Sequence, residues 1–120
     1  MPTNKICRGE IWEIDFRPAK GHEQDEIRPG LIISDDQFNN NSELVFAIPI
    51  STKARYYKEK LWPTYVPVKP PDGGVKQASY IKCEHMRSLS HERLRKRWGI
   101  VDPSIIRAVE KRLFLLLGMQ

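Results

Sequence analysis

Residues 21–34 read Gly-His-Glu-Gln-Asp-Glu-Ile-Arg-Pro-Gly-Leu-Ile-Ile-Ser, and this stretch joins a predicted loop to a predicted strand. Its first half is polar, begins with glycine and has neither a helical nor an alternating apolar period, which indicates a loop. Its second half contains Leu31, Ile32 and Ile33, an apolar run typical of a buried strand. Because a residue before proline is biased toward extended backbone, we expect Arg28 at the mouth of this strand, beside the loop. Loops held by a rigid scaffold often carry working side chains.

Short strands flank this stretch on both sides. Residues 8–16 alternate in character, which predicts a strand with Trp12, Ile14 and Phe16 on its core face and Ile11 on the opposite face. Residues 44–50 are almost continuously apolar, so we expect them in the centre of the sheet. The other segments follow from turn and capping signals: a short helical turn within 35–41, a mobile loop over 53–60, strands at 65–68, 75–83 and 98–101, and a short helix from Ser90 to Lys96.

One long amphipathic helix is predicted after Asp102, an N-cap acid followed by proline at the first helical position. Apolar residues recur at helical spacing up to Leu117, and Gly118 ends the pattern. Because the last turn is apolar almost all round, we expect it to contact both its own sheet and a second copy of the chain. Short strands and one such helix predict a mainly β member of the α+β class, a small curved antiparallel sheet or barrel with the helix packed on it.

The 120 residues predict one domain that spans the whole chain. A formal net charge of +5 favours a polyanionic partner, either nucleic acid or an acidic peptide. The basic residues between Arg87 and Arg97 fit a solvated helix face as well as a phosphate-binding patch. Cys7 and Cys83 match no metal motif, and neither a secretory signal nor a membrane span is recognisable. These features predict a cytoplasmic protein with reduced thiols and no bound metal.

Four motifs occur in order: Arg8-Gly9-Glu10-Ile11-Trp12, Glu23-Gln24 before Arg28-Pro29, Pro49-Ile50-Ser51-Thr52, and Glu84-His85-Met86-Arg87-Ser88-Leu89. In this combination the chain resembles the MazF/PemK family of toxin endoribonucleases from bacterial type II toxin–antitoxin systems. The resemblance implies an SH3-like, PemK-type barrel, a homodimer, and a cognate antitoxin with an acidic disordered tail. It also implies cofactor-free and metal-free, sequence-specific cleavage of single-stranded RNA, with 2′,3′-cyclic phosphate and 5′-hydroxyl ends.

In this family, catalysis is carried by the arginine before proline and by a hydroxyl after the third strand. The resemblance places these roles on Arg28 and Ser51, or on Thr52 if the alignment shifts by one residue. It places RNA contacts on four further positions: Glu23, Gln24, Glu84 and His85. Relatives commonly have glutamine where this chain has His85. We expect the histidine to keep a base or backbone contact, and the alternative is an added acid/base group.

The chemistry of RNA cleavage supports these roles independently. Attack by the 2′-oxygen places extra negative charge on the phosphorus centre, and Arg28 has planar donors that match two phosphate oxygens. A normal guanidinium is a poor proton shuttle at neutral pH, so we expect Arg28 to act as an electrostatic clamp. The alternative is that Arg28 is both clamp and acid, which would require the site to lower its pKa considerably. Other cations could pair with phosphates and an aromatic ring could stack on a base. These RNA-binding candidates are Lys53, Arg55, Tyr57 and Arg87.

Two other functions remain open at this point: a CcdB-like toxin that binds DNA gyrase without cutting RNA, and a barrel that binds RNA without cleaving it. CcdB-like chains end in Trp-Gly-Ile, whereas this chain ends in Leu-Gly-Met-Gln. The Arg28-Pro29 and Ser51-Thr52 pairs fit the nuclease branch better.

Overall fold

The computed structural model describes residues 5–18 and 26–119. Within them, the elements follow in the order β1 (Glu10–Asp15), β2 (Ile27–Ile32), α1 (Asp36–Asn41), β3 (Leu44–Ser51), β4 (Tyr56–Tyr57), β5 (Lys60–Leu61), β6 (Tyr65–Val68), β7 (Ser79–Lys82), β8 (Arg87–Ser90), β9 (Leu94–Ile100) and α2 (Pro103–Leu116). Single turns of 3-10 helix lie at Asp72–Gly74, Cys83–His85 and His91–Arg93. The predicted architecture, mainly β with a C-terminal helix, is confirmed.

The main sheet of the described part is antiparallel, with strand order β6-β7-β3-β2-β1-β9. Strand β8 is an additional partner of β3, which it pairs from Leu44 to Ala47, whereas β7 pairs with Ile50 and Ser51 of the same strand. Strand β3 therefore has three neighbours, and its predicted central position is confirmed. Strands β4 and β5 form a separate small hairpin.

Strand β1 is buried on both faces. Ile11 is fully buried in a core cluster that includes Val109 of α2, whereas Ile14 and Phe16 are fully buried in a second cluster with Val45. The prediction that Ile11 lies on an outer face was wrong. The period-two pattern assumed one solvated face, but here α2 and the turn at Asp72–Gly74 cover the side that carries Ile11.

Other predicted boundaries also differ from the structure. The segment 53–60, expected as a loop, contains most of the β4–β5 hairpin, and the strand expected over 75–83 pairs only at Ser79–Lys82. The helix predicted from Ser90 to Lys96 was wrong. Ser90 caps only the single 3-10 turn, and the chain continues as β9 because it pairs with β1. Pairing between distant segments outweighs the helical propensity of this Arg- and Lys-rich stretch.

Helix α2 begins at Pro103, directly after the predicted N-cap Asp102, whose side chain accepts a hydrogen bond from the Ser104 N–H at 2.9 Å. Val109 is fully buried, and Ile105, Ile106 and Leu113 pack on the same cluster. The end of the helix is different, because its apolar side chains are more than 40% exposed. We call this group the helix-end surface: Phe114, Leu115, Leu116, Leu117 and Met119.

Gly74 holds the turn at Asp72–Gly74 against β9. Its φ is +83°, and a Cβ at this position would lie 2.5 Å from the Trp98 carbonyl oxygen. We expect Gly74→Ala to lower the free energy of unfolding by about 2–4 kcal/mol, from backbone strain plus the clash, as measured by urea denaturation. Gly118 is the matched control: its φ is +70°, but no described heavy atom lies within 4 Å of the corresponding Cβ. Gly118→Ala should cost only about 1–2 kcal/mol, and equal losses would contradict a clash at Gly74.

Candidate active site

An open cavity of about 540 Å³ lies where β2 begins and β3 ends, and strand β7 and Trp98 of β9 also contribute to its walls. We call this cavity the Arg28 cleft. Three residues predicted from the resemblance, Arg28, Ser51 and Thr52, line it together with Lys53. The cleft also contains residues that the sequence did not single out: Glu26, Tyr65, Lys76, Gln77, Lys82 and Trp98.

The strand register explains why these side chains meet. Gly30 is paired with Pro49, and Arg28 and Ser51 each lie two residues beyond that pair, at the same end of β2 and β3. Side chains two residues apart on a strand share one face of a sheet, as do residues directly opposite each other. Ser51 is paired with Tyr80 of β7. Arg28, Ser51 and Tyr80, with Lys82 two residues farther on, therefore belong to the same face of the sheet.

The Arg28 side chain is only 17% exposed, and it forms an ion pair with Glu26 through Nη2. Its Nε is buried and has no hydrogen-bond partner among the described residues. Burial lowers the pKa of Arg28 from its ordinary value. A buried donor without an acceptor carries a desolvation cost, so an anion that reached this N–H would be bound favourably.

The two hydroxyl candidates differ in their surroundings. Ser51 is the last residue of β3 and is 9% exposed, and its Oγ accepts a hydrogen bond from the Lys53 N–H at 3.1 Å. An Oγ that accepts this bond still has its own O–H to donate. Thr52 is exposed on the segment after the strand. Both line the cleft, but Ser51 is fixed by the sheet on the face that carries Arg28.

The remaining predicted cations and the aromatic residue lie outside the cleft lining. The Arg55 guanidinium lies 3.8 Å from the centre of the Trp62 ring, and Tyr57 contacts the same ring edge-on, with centroids 6.5 Å apart. Arg55 and Tyr57 are exposed and Trp62 is half-buried, and the three lie in or directly beside the β4–β5 hairpin. Arg87 begins β8 and donates a hydrogen bond to the Phe16 carbonyl oxygen at 3.2 Å.

Glu84 and His85 lie in the 3-10 turn that follows β7. The Thr64 hydroxyl donates a hydrogen bond to Glu84, and Nε2 of His85 lies 3.9 Å from the Glu84 carboxylate. Neither residue lines the cleft. Glu23 and Gln24 lie outside the described residues.

The basic cluster of residues 87–97 is paired with acids of β1 over much of its length. Arg95 lies 3.2 Å and Arg93 3.9 Å from the Asp15 carboxylate, and Arg97 lies 2.6 Å from Glu10. The Arg17 hydrogen bonds, reinforced by Arg95, hold the pKa of Asp15 well below its ordinary value. The interpretation of this cluster as a solvated helix face was wrong, because the second half of the cluster forms strand β9.

Lys82 and Trp98 are the main cleft residues that sequence reasoning missed. Lys82 alternates with the buried Ile81 on β7, a pattern that normally indicates a solvent-facing lysine. Only the pairing of β7 with β3 places it beside the ends of β2 and β3. Trp98 lies in a strand, as predicted, but a strand position alone does not indicate a cleft residue. It lines the cleft because the fold brings β9 close to β7 and to the ends of β2 and β3, which are distant from it in sequence.

Across residues 5–18 and 26–119, no three His, Cys, Asp or Glu side chains are grouped closely enough to hold a metal ion. No helix in this part of the chain has the length and apolar character needed to cross a bilayer.

A curated relative, Endoribonuclease MazF9 of Mycobacterium tuberculosis, is 26% identical over 117 residues, which cover 93% of this chain and 96% of the relative. The crystal structure of MazF from Deinococcus radiodurans matches with a TM-score of 0.82 and 27% identity, over 97% of this chain and 99% of that one. These similarities extend over nearly the whole chain.

A mycobacterial endoribonuclease, solved in complex with its cognate antitoxin, has a TM-score of 0.74 at 23% identity, over 98% of both chains, and thus shares the fold. Residues 7–117 match the family described as the PemK-like, MazF-like toxin of type II toxin–antitoxin systems. The chain therefore belongs to the PemK-like, MazF-like toxin family.

Proposed function

We propose that this protein is a metal-independent endoribonuclease, which cuts single-stranded RNA at a short sequence and leaves 2′,3′-cyclic phosphate and 5′-hydroxyl ends. One observation carries the proposal: Arg28, with a buried donor unpaired among the described residues, shares an open cleft with the hydroxyls of Ser51 and Thr52. Membership of the toxin family and the endoribonuclease named among its relatives support the same conclusion.

In the proposed reaction, the 2′-oxygen attacks the adjacent phosphorus, its proton leaves to a base, and the bond from phosphorus to the 5′-oxygen breaks. That oxygen takes up a proton as it leaves. Negative charge accumulates on the phosphate oxygens between these events. Arg28 stabilises it with a fixed positive charge and with Nε, and a hydroxyl of Ser51 or Thr52 donates a further hydrogen bond.

The protein would act as a homodimer and would be neutralised by a cognate antitoxin. The helix-end surface supports dimer formation, because exposed apolar patches of this kind mark interaction sites. A positively charged cleft would also attract an acidic, disordered antitoxin segment, which could exclude RNA by covering the same surface. A fold relative was solved with its cognate antitoxin, which supports this assignment.

The proposal is tested by incubating the purified protein with a long single-stranded RNA in the presence of EDTA. We expect discrete fragments whose 3′ ends accept an RNA adapter only after the cyclic phosphate is removed, and whose 5′ ends must be phosphorylated before ligation. Intact RNA would contradict the nuclease function and leave the non-catalytic RNA-binding and gyrase-binding alternatives. Cutting that requires added Mg²⁺ would contradict the metal-independent mechanism.

Single substitutions distinguish which of the two hydroxyls, that of Ser51 or that of Thr52, binds the phosphate. We expect Ser51→Ala to lower the cleavage rate by about 10- to 100-fold, because it removes one charge-assisted hydrogen bond to the phosphate. Thr52→Ala should change the rate by less than about threefold, since Thr52 lies past the strand end that fixes Ser51. Single-turnover rates on the same RNA measure both effects. If the two losses are reversed, Thr52 is the hydroxyl that binds the phosphate.

A further inference from the structure

We propose that Lys82 is a second phosphate-binding residue of the Arg28 cleft, so that its ammonium and the Arg28 guanidinium bind the scissile phosphodiester from neighbouring strands. This inference rests on the proposed function, because it assigns a further residue to the same substrate. It concerns β7, which carries none of the residues that the family resemblance assigned.

The position of Lys82 in the sheet places it beside the proposed substrate site. Lys82 lines the cleft together with Arg28 and Ser51. The register places it on the same face of the sheet as both, two residues beyond Tyr80, the paired partner of Ser51. A phosphate held by Arg28 and Ser51 would therefore lie beside the side chain of Lys82.

Lys82 is half-buried, and the described part of the chain offers it no anionic partner. No ion pair or hydrogen bond of its side chain occurs within residues 5–18 and 26–119. Its Nζ lies 5.6 Å from the centre of the Tyr65 ring, a contact that positions the ammonium without neutralising it. Glu84, the acid nearest to it in effect, accepts a hydrogen bond from Thr64 instead.

The charges that surround Lys82 also favour the binding of an anion. Burial lowers the pKa of Lys82 from its ordinary value of 10.5, and the positive charge of Arg28 lowers it further. The charged groups that act on Lys82 come from several elements: Arg28 on β2, Lys53 and Arg55 after β3, and Glu84 after β7. The neighbouring Tyr65 ring on β6 adds a titratable hydroxyl. Glu26 also lines the cleft and pairs with Arg28, but Lys53, Arg55 and Lys82 form no ion pair among the described residues. These cations repel one another until a further anion binds among them. A phosphate diester is the anion that the proposed substrate supplies.

This arrangement couples RNA binding to proton uptake. A bound phosphate raises the pKa of Lys82 from its lowered value in the free protein. At pH values between the pKa of Lys82 in the free protein and its pKa in the complex, RNA binding takes up a proton. In this range the affinity for RNA therefore falls as the pH rises. Below the free value Lys82 is protonated in both states, and it contributes no pH dependence there.

The test measures binding of a fluorescent single-stranded 2′-O-methyl oligonucleotide of mixed sequence, which has no 2′-hydroxyl to attack and so reports affinity independently of cleavage. We expect Lys82→Met to weaken binding by about 10- to 100-fold, the loss of a charged hydrogen bond. The substitution should also weaken the salt dependence: the negative slope of log affinity against log salt concentration should become less steep by about 0.7. The control Lys69→Met removes the same charge from an exposed turn outside the cleft, and should change affinity by less than about twofold.

Lys82→Arg is the second variant, because arginine keeps the charge but stays protonated at all accessible pH values. Its affinity should remain within about threefold of the wild type, without the alkaline loss that the wild type shows. Wild-type affinity for Lys82→Met, or the same alkaline loss in Lys82→Arg, would overturn the inference. If the wild type cuts RNA and Lys82→Met binds normally, only this inference fails. If the wild type does not cut and Lys82→Met binds weakly, the nuclease proposal fails and phosphate binding at Lys82 stands.

Discussion

Arg28→Ala is expected to lower the rate of RNA cleavage by about 10³-fold or more. The reason is that Arg28 supplies a fixed positive charge to the cleft, and its buried Nε has no hydrogen-bond partner among the described residues. Removing a single preorganised donor from a site where charge develops costs about 10²–10³ in rate. The measurement is a single-turnover rate on RNA in EDTA, compared with the wild type.

Two controls make the Arg28 result specific. Arg28→Lys keeps a positive charge but loses the planar pair of donors, so we expect an intermediate loss of about 10- to 100-fold. Arg107→Ala removes an exposed arginine from α2, away from the cleft, and should leave the rate unchanged. Circular dichroism must show that each variant is folded. If Arg28→Ala cleaves RNA at more than about a tenth of the wild-type rate, Arg28 is not a catalytic residue.

A charge placed in the helix-end surface is expected to separate the proposed dimer. Leu117 is 62% exposed in the single chain. With Phe46 and Phe114 it lines an apolar groove of about 350 Å³. Leu117→Glu should leave the fold of one subunit intact, because the side chain lies outside both core clusters. In a dimer it would bury an unpaired carboxylate at a cost of about 3–5 kcal/mol, which weakens association by about 100-fold or more.

Analytical ultracentrifugation over a concentration series measures this change. Lys111→Glu places a carboxylate on an exposed position of the same helix and should leave the dimer unchanged. If Leu117→Glu stays dimeric at the same concentrations as the wild type, the subunits associate through another surface. If the wild type is itself monomeric at high concentration, the dimer proposal is wrong.

Local signals predicted the parts of the fold that local interactions determine. Strand β6 has the predicted bounds, and α2 begins at the predicted cap, because turn residues and Asp102 define them within a few positions. Ile11 and the segment after Ser90 were mispredicted for a different reason. Their structure depends on segments distant in sequence: α2 covers Ile11, and β1 pairs with β9.

The residues of the candidate site also fall into two groups, those that local sequence signals predict and those that only the fold brings into the cleft. Arg28 and Ser51 could be found from the sequence because each adjoins a recognisable strand and a motif. Their meeting in one cleft follows from the antiparallel pairing of β2 and β3, which a hydrophobic pattern indicates only in outline. Lys82 and Trp98 could not be found, since an alternating lysine and a strand tryptophan are ordinary features until the sheet order is known.

The most direct test is a crystal structure of the protein with an oligonucleotide that carries its mapped cleavage sequence and lacks the 2′-hydroxyl at the cut. We expect the phosphate at the cut to lie in the Arg28 cleft, within hydrogen-bond distance of Arg28 Nε and of the Ser51 or Thr52 hydroxyl. A phosphate bound elsewhere on the protein, with Arg28 still paired only to Glu26, would contradict this expectation.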